Sequence, residues 1–445
     1  MNRYVKGVPD LARIVGGVAT SHTPSIAFAV DTQKANDPVW APIFEGFAPV
    51  RKWLEEKAPD VLFYVYNDHV TSFFFDHYSN FALGFADTFP VADEGGGPRP
   101  LPAIKGHPAL AQHIANGLVA DEFDLSYFQA KGLDHGVFSP LSIMLPHERG
   151  WPVAMVPLQV GVLELPSPTA RRCFAFGRSL RKAILSYPED IKVAVVGSGG
   201  LSHQVSGERA GFNNTEWDME FLELLEKDPQ KLTELSISEY AKRGGIEGAE
   251  VVMWLIMRGA LTPKVRKVHQ SYSLPSMTAT ATVIYEDIPE ADEAPGVEAY
   301  FGKARREYEG VAKIEGSYPF TFDRSSRAYR LNRYLHGIIQ PELRGRFLYD
   351  REGSYVRGEL NEEEKDMLRR LDWRALIRYG VIFFILEKLG AAVGVTNQHI
   401  YAAMRGESLE DFQKTRKNAV LYSVAGTHKP KAEKDSAPKH RPKTP

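Results

Sequence analysis

Hydrophobic and polar positions change rhythm twice along the chain. Over the first 290 or so residues, short β-rich runs alternate with stretches of helical spacing. Arg13–Thr20 (RIVGGVAT), Asp60–Tyr66 (DVLFYVY) and Lys192–Val196 (KVAVV) are dense in β-branched and aromatic residues, as strands require. Between them, Arg171–Ser186 and Glu216–Glu226 repeat apolar positions at helical intervals. The segment GGIEGAEVVMWLIMRGAL is expected to form one helix, apolar nearly all round in its later turns and therefore buried. Strands interleaved with helices predict a layered α/β fold, in which ligands collect beyond the carboxyl ends of strands.

From Glu286 to Gly296 the chain turns acidic and proline-punctuated (EDIPEADEAPG), the pattern of a linker. Beyond Phe322 only helical periodicities follow: Ala328–His336, Glu362–Arg370, Trp373–Leu389 and Asn397–Met404. The last stretch, HKPKAEKDSAPKHRPKTP, has no hydrophobic residue beyond alanine and is expected to be a disordered basic tail. The expected divisions are an α/β domain over 1–290, a linker over 291–325, a smaller all-helical domain over 326–425 and a tail over 426–445.

Composition narrows the function. At 445 residues and 43% hydrophobic, the chain has material for more than one core. Lys+Arg 54 against Asp+Glu 56 leaves a net charge of −2, which gives no polyanion-binding signal. The lone Cys173 excludes an intrachain disulfide framework and thiolate-rich metal sites, and suits a reducing compartment. MNRYVKGVPDLARIVGG lacks the apolar core of a signal peptide, and the apolar run Val381–Leu386 is far too short to cross a bilayer. A soluble cytoplasmic protein is expected, with no membrane or nucleic-acid partner.

The chemistry-bearing residues sit at the ends of strand-like runs or tight turns. His22 (ATSHTPS), His69 (YVYNDHVTS) and His203 (GSGGLSHQ) each follow such a run closely, and His135 (LDHGVFSP) precedes a glycine. Asp68 is a candidate to orient an imidazole. Glu250 stands at the mouth of the buried helix, where a carboxylate is costly unless paired or bound to a cation. Glu247, one turn earlier, is the competing carboxylate. Two imidazoles and one carboxylate with open positions make the ligand set of non-haem Fe(II) enzymes that activate dioxygen. The same set also serves catalytic zinc, so a zinc hydrolase is the rival reading. A histidine beside such a site is a natural general base, because its pKa lies near operating pH.

ATSHTP, YNDH, ADEGGGPRPLP, LDHG, GSGGLSHQ, GERAGFNNTEWD and EGAEVVMWLIMRGAL together resemble the class II extradiol ring-cleavage dioxygenases. The likeness is to the catalytic subunit of protocatechuate 4,5-dioxygenase. YGVIFFILEKLGAAVGV, YAAMRG and FQKTRKNAVLYSVAG are similar to that enzyme's small helical subunit, fused behind it as in gallate dioxygenases. The resemblance covers about residues 13–426. It implies His22, His69 and Glu250 as Fe(II) ligands, His203 as catalytic acid/base and His135 as a second active-site histidine. It further implies Thr23 and Thr278 as substrate contacts within the chain. In the family's homodimer the helical part of one chain closes the site of the other, which would bring Tyr401 and Tyr422 to the partner's substrate. The substrate implied is a small phenolic acid opened with O2: gallate giving 4-oxalomesaconate, or protocatechuate or 3-O-methylgallate by the same chemistry.

Overall fold

The computed structural model describes residues 11–288, 300, 302–303 and 306–415. The expected tail, Tyr422 and much of the acidic linker lie outside the described residues. The chain divides into two compact units, Met1–Glu309 and Gly310–Pro445.

Among the described residues, the first unit has ten strands: β1 (Arg13–Thr20), β2 (Val61–Tyr66), β3 (Phe81–Gly84), β4 (Thr88–Phe89), β5 (Ile104–Lys105), β6 (Ser126–Phe128), β7 (Ala154–Val160), β8 (Lys192–Ser198), β9 (Val265–Ser273) and β10 (Thr280–Asp287). Eight form one mixed sheet in the order β6-β3-β7-β2-β8-β1-β10-β9, while β4 and β5 pair separately. Its centre, β7-β2-β8-β1, is parallel. Every residue of β2 (VLFYVY) is buried, as expected for a parallel strand covered on both faces.

Helices α1 (Pro24–Asp31), α2 (Ala41–Lys57), α3 (Pro108–Ala120), α4 (His135–Met144) and α5 (Ala170–Leu185) follow in chain order. Ile26, Phe47, Val50, Val137 and Leu141 from α1, α2 and α4 share a core with Val18, Leu62, Tyr64, Ala194 and Val196 of the sheet. The opposite face carries Met257 and Trp254, which lie against Gly17 and Gly197. The α/β layering expected from the sequence is therefore present, as is a helical second unit.

Two expected helices are interrupted, and one hairpin went unread in the sequence. The segment expected as one helix is a 3-10 turn over Glu247–Met253 followed by an α-helix over Trp254–Gly259. The β9–β10 hairpin escapes sequence reading because the edge strand β9 is mostly polar (VRKVHQSYS), and only β10 is well buried. The run Trp373–Leu389 is two helices, Trp373–Tyr379 and Phe383–Val393, because Gly380 takes φ +129, outside helical space.

The second unit encloses its own core of Leu331, Leu335, Tyr355, Leu368, Leu376, Leu386 and Ile400. Glu364, fully buried there, accepts from Arg330 Nε at 2.9 Å, Tyr379 Oη at 3.1 Å and the Asn361 N–H at 2.9 Å. Three donors offset the cost of burying its charge.

Gly177 of α5 lets that helix meet the segment Trp254–Gly259: a Cβ there would strike Ile256 O, and would lie 2.9 Å from both Ala260 N and Gly259 C. These are backbone atoms and cannot swing aside. Gly→Ala inside a helix ordinarily stabilises by about 1 kcal/mol. Here Gly177→Ala is expected to destabilise by roughly 1–3 kcal/mol, read as a lower urea midpoint at unchanged slope.

Candidate metal centre

Strand pairing assembles the site. β1 and β8 run parallel with Thr20 opposite Ser198, and β8 and β2 run parallel with Gly197 opposite Val65. The chain therefore leaves three adjacent strands at one end of the sheet, and the next few residues supply His22, His69 and His203. The 3-10 turn brings Glu250 to the same place. One ligand atom each from His22, His69 and Glu250 lies within 4.8 Å of the others. His22 Nε2 stands 3.3 Å from Glu250 Oε1. His135, first residue of α4, stacks its ring on His69 with centroids 3.9 Å apart and 28° between planes.

Each of the four imidazoles is held through Nδ1. His22 Nδ1 lies 2.9 Å from Ser198 Oγ. That hydroxyl donates to Gly136 O at 2.9 Å, so it receives the imidazole N–H. His69 Nδ1 donates to Asp134 Oδ2 at 2.9 Å, and the same oxygen takes the His69 backbone N–H at 2.7 Å. His135 Nδ1 donates to Glu94 Oε1, and His203 Nδ1 to the carbonyl of Leu201 at 2.8 Å. With the proton on Nδ1, a neutral imidazole keeps its lone pair on Nε2.

Glu250 is 2% exposed, and its Oε1 accepts the N–H of Gly200. Burial opposes its charge, but His22, then His203 and His69, hold the carboxyl well below the ordinary glutamate range. Gly200 is required at this contact: a Cβ would lie 2.5 Å from His203 Cε1 and 2.9 Å from Glu250 Oε1. Glu247 is turned elsewhere, accepting from Val205 N at 3.2 Å and Ser206 Oγ at 2.5 Å. His69 Nε2 accepts from Asn67 Nδ2 at 3.3 Å, a contact that a metal ion would replace. Two such imidazole nitrogens beside a buried carboxylate fit a divalent metal ion and leave coordination positions open.

The orienting carboxylate is not the one expected. Asp68 spends its oxygens on the N–H groups of Thr71, Ser72 and Phe73, at 2.8 to 3.1 Å. Burial and the neighbouring Asp134 push its pKa up despite those bonds. The turn it caps passes through Val70 at φ 59, a left-handed conformation costly for a β-branched residue. Asp134 orients His69 instead. Burial opposes its charge, but the bond from His69 and the fields of His69 and His135 hold its pKa down. Sequence reasoning also missed Ser198 and Glu94, whose partners lie far away along the chain.

Thr23, buried beside His22, caps α1 with its hydroxyl toward the Ser25 N–H at 3.5 Å. Thr278 lies half-buried in the β9–β10 connection, next to Ala279, whose N–H meets Ser202 O at 3.4 Å and whose carbonyl accepts from Ser21 Oγ at 3.2 Å. Tyr401 stacks on Phe383 within the helical unit, centroids 5.3 Å apart. Tyr422 lies outside the described residues.

The family described as the catalytic LigB subunit of aromatic ring-opening dioxygenase matches residues 16–285. The LigA subunit of the same two-component dioxygenase, LigAB, matches residues 331–417. The chain belongs to the LigB family of aromatic ring-opening dioxygenases, with a LigA-like unit behind it in the same polypeptide. Among its relatives, a gallate dioxygenase from Pseudomonas putida is 59% identical over 336 residues, 76% of this chain and 99% of that protein. A 2,3-dihydroxyphenylpropionate/2,3-dihydroxicinnamic acid 1,2-dioxygenase from Photorhabdus laumondii is 24% identical over 290 residues, 55% of this chain and 87% of that protein. A similarly named enzyme from Dechloromonas aromatica is 30% identical over 185 residues, 41% and 54% of the two chains. The chain is thus an extradiol ring-cleavage dioxygenase of class II, close to gallate dioxygenase, and the hydrolase reading left open by the ligand set falls away. Among the described residues, no helix is long and apolar enough to cross a membrane.

Two outcomes are expected of metal analysis. Asp134→Ala frees the His69 ring and weakens metal affinity about 10–100-fold, measured by titration of the metal-free protein. Glu250→Ala empties the site while Glu247→Ala leaves it filled; the reverse pattern would assign the wrong carboxylate.

Proposed function

We propose that this chain is an Fe(II)-dependent extradiol dioxygenase that opens the ring of gallate with O2, incorporates both oxygen atoms and releases 4-oxalomesaconate. The observation that carries the metal assignment is the convergence of His22, His69 and Glu250 within 4.8 Å. The 59% identity to a gallate dioxygenase supports the substrate. Held by His22, His69 and Glu250, ferrous iron would supply Lewis-acid and redox chemistry for the phenolic substrate and O2.

The remaining work belongs to the chain. His203 Nε2 takes a proton from a ring hydroxyl and returns it later in the turnover, its Nδ1 meanwhile fixed on Leu201 O. His135 hydrogen-bonds substrate or oxygen through Nε2. Thr23 and Thr278 offer hydroxyls to the substrate's several oxygens. The substrate supplies all the electrons, so gallate plus O2 balances the product without an organic cofactor. The active form is a cytoplasmic homodimer in which the helical unit of one chain closes the site of the other, with Tyr401 and Tyr422 meeting the partner's substrate.

Oxygen-electrode kinetics with gallate, protocatechuate and 3-O-methylgallate side by side test the substrate, on protein purified anaerobically with its iron content measured. The highest kcat/KM is expected for gallate. Protocatechuate lacks one hydroxyl, and a site that hydrogen-bonds that group rejects the analogue strongly. A higher value for either competitor overturns the assignment. His203→Phe is expected to keep its iron and bind gallate while losing about 10²–10⁴-fold in turnover; near-normal turnover removes His203 from the mechanism.

A further inference from the structure

Glu94 gives both carboxylate oxygens to one residue. Oε2 accepts the backbone N–H of His135 at 3.1 Å, and Oε1 accepts its Nδ1–H at 2.5 Å. The segment bearing Glu94 is pinned on both sides. Ala92 N–H reaches Leu133 O at 2.8 Å, and Asp93 Oδ1 accepts from Gly95 N at 2.8 Å and Gly97 N at 3.0 Å. Arg99 then binds Asp31 through Nε at 2.8 Å and Nη2 at 2.6 Å, and also reaches Phe138 O at 2.8 Å and Ser142 Oγ at 3.1 Å. A loop rich in glycine is thereby fixed where Glu94 leaves it.

The His135 ring needs such a partner. Its stacking on His69 fixes the plane of the ring but not which edge faces the metal ligands, because a half-turn of the ring preserves the stack. The Glu94 contact distinguishes the two orientations. With side-chain exposures of 37% for Glu94 and 13% for His135, the ion pair contributes little to stability, so its consequence is orientation. Consecutive residues thus have separate tasks: Asp134 holds His69, while His135 is itself held by Glu94.

We propose that Glu94 is the positioning residue of His135, fixing its imidazole so that Nε2 faces the His22–His69–Glu250 cluster. The proposal rests on the reading that His135 touches substrate or oxygen during ring opening. Its loss acts on turnover and leaves metal binding intact, because Glu94 touches none of the three candidate ligands among the described contacts.

The test compares Glu94→Ala, Glu94→Gln, His135→Ala and the double variant Glu94→Ala/His135→Ala in the full iron-loaded chain. Glu94→Ala is expected to keep its iron and lower kcat with gallate about 10–100-fold. Glu94→Gln restores only part of that loss, since its single amide oxygen can still accept the Nδ1–H while its NH2 cannot accept the His135 backbone N–H. In the His135→Ala background, removing Glu94 adds no further loss. A second readout is independent of turnover: ¹⁵N spectra of labelled metal-free protein report the His135 tautomer. The Nδ1-protonated form should dominate in the unsubstituted chain and in Glu94→Gln, and become mixed in Glu94→Ala. Additive losses in the double variant, or a His135 spectrum unchanged by Glu94→Ala, overturn the proposal. If the unsubstituted chain does not consume O2 with gallate, the assigned function fails, and the tautomer measurement still decides the role of Glu94.

Discussion

A neutral imidazole has one N–H and one lone pair, so fixing the first aims the second. The site depends on that rule applied four times. Ser198, Asp134, Glu94 and the Leu201 carbonyl each take an Nδ1 proton, from His22, His69, His135 and His203 respectively. The acceptors are of different kinds: a hydroxyl, a buried carboxylate, a half-exposed carboxylate and a main-chain oxygen. They come from different parts of the fold, yet each leaves Nε2 for other contacts, as His69 Nε2 has with Asn67 Nδ2 and His22 Nε2 with Glu250 Oε1, both at 3.3 Å. Two of these nitrogens stand beside Glu250, and in the proposed mechanism the other two serve proton transfer and hydrogen bonding.

The sheet makes this convergence possible. Adjacent strands lie about 4.8 Å apart, so three neighbouring parallel strands deliver their following loops within reach of one ion. β1, β8 and β2 are such neighbours, and their registers level Thr20 with Ser198 and Val65 with Gly197. Gly200 then permits His203 and Glu250 to approach where any Cβ would intrude. Burying the charge of Glu250 is costly, and a bound cation would offset that cost. His22, His69 and Glu250 are together suited to hold a metal ion.

Much of this was legible in the residues. Strand runs ending at Thr20, Tyr66 and near Ser198 indicate an α/β layer with chemistry at the strand ends, and His22, His69 and His203 sit there. Glu250 is marked by its apolar surroundings, although the turn that carries it is 3-10 and not the expected continuous helix. What was not legible is pairing at long range. Asp68 is adjacent to His69 and looks like its partner, but its oxygens are taken by three following amides. Asp134, 65 residues away, does the work, and Glu94 is 41 residues from His135. The polar edge strand β9 was likewise invisible, because its apolar alternation is weak where only one side is covered.

The central claim is that His22 and His69 bind one metal through Nε2, together with Glu250, while protein acceptors keep the Nδ1 atoms. A crystal structure of the chain loaded with Fe(II) under anaerobic conditions tests it most directly. The account predicts one ion bound by those two nitrogens and the Glu250 carboxylate, with His203 and His135 outside the coordination sphere. An ion bound through any Nδ1, or held by Asp134 and His135 in place of His22 and Glu250, would contradict it.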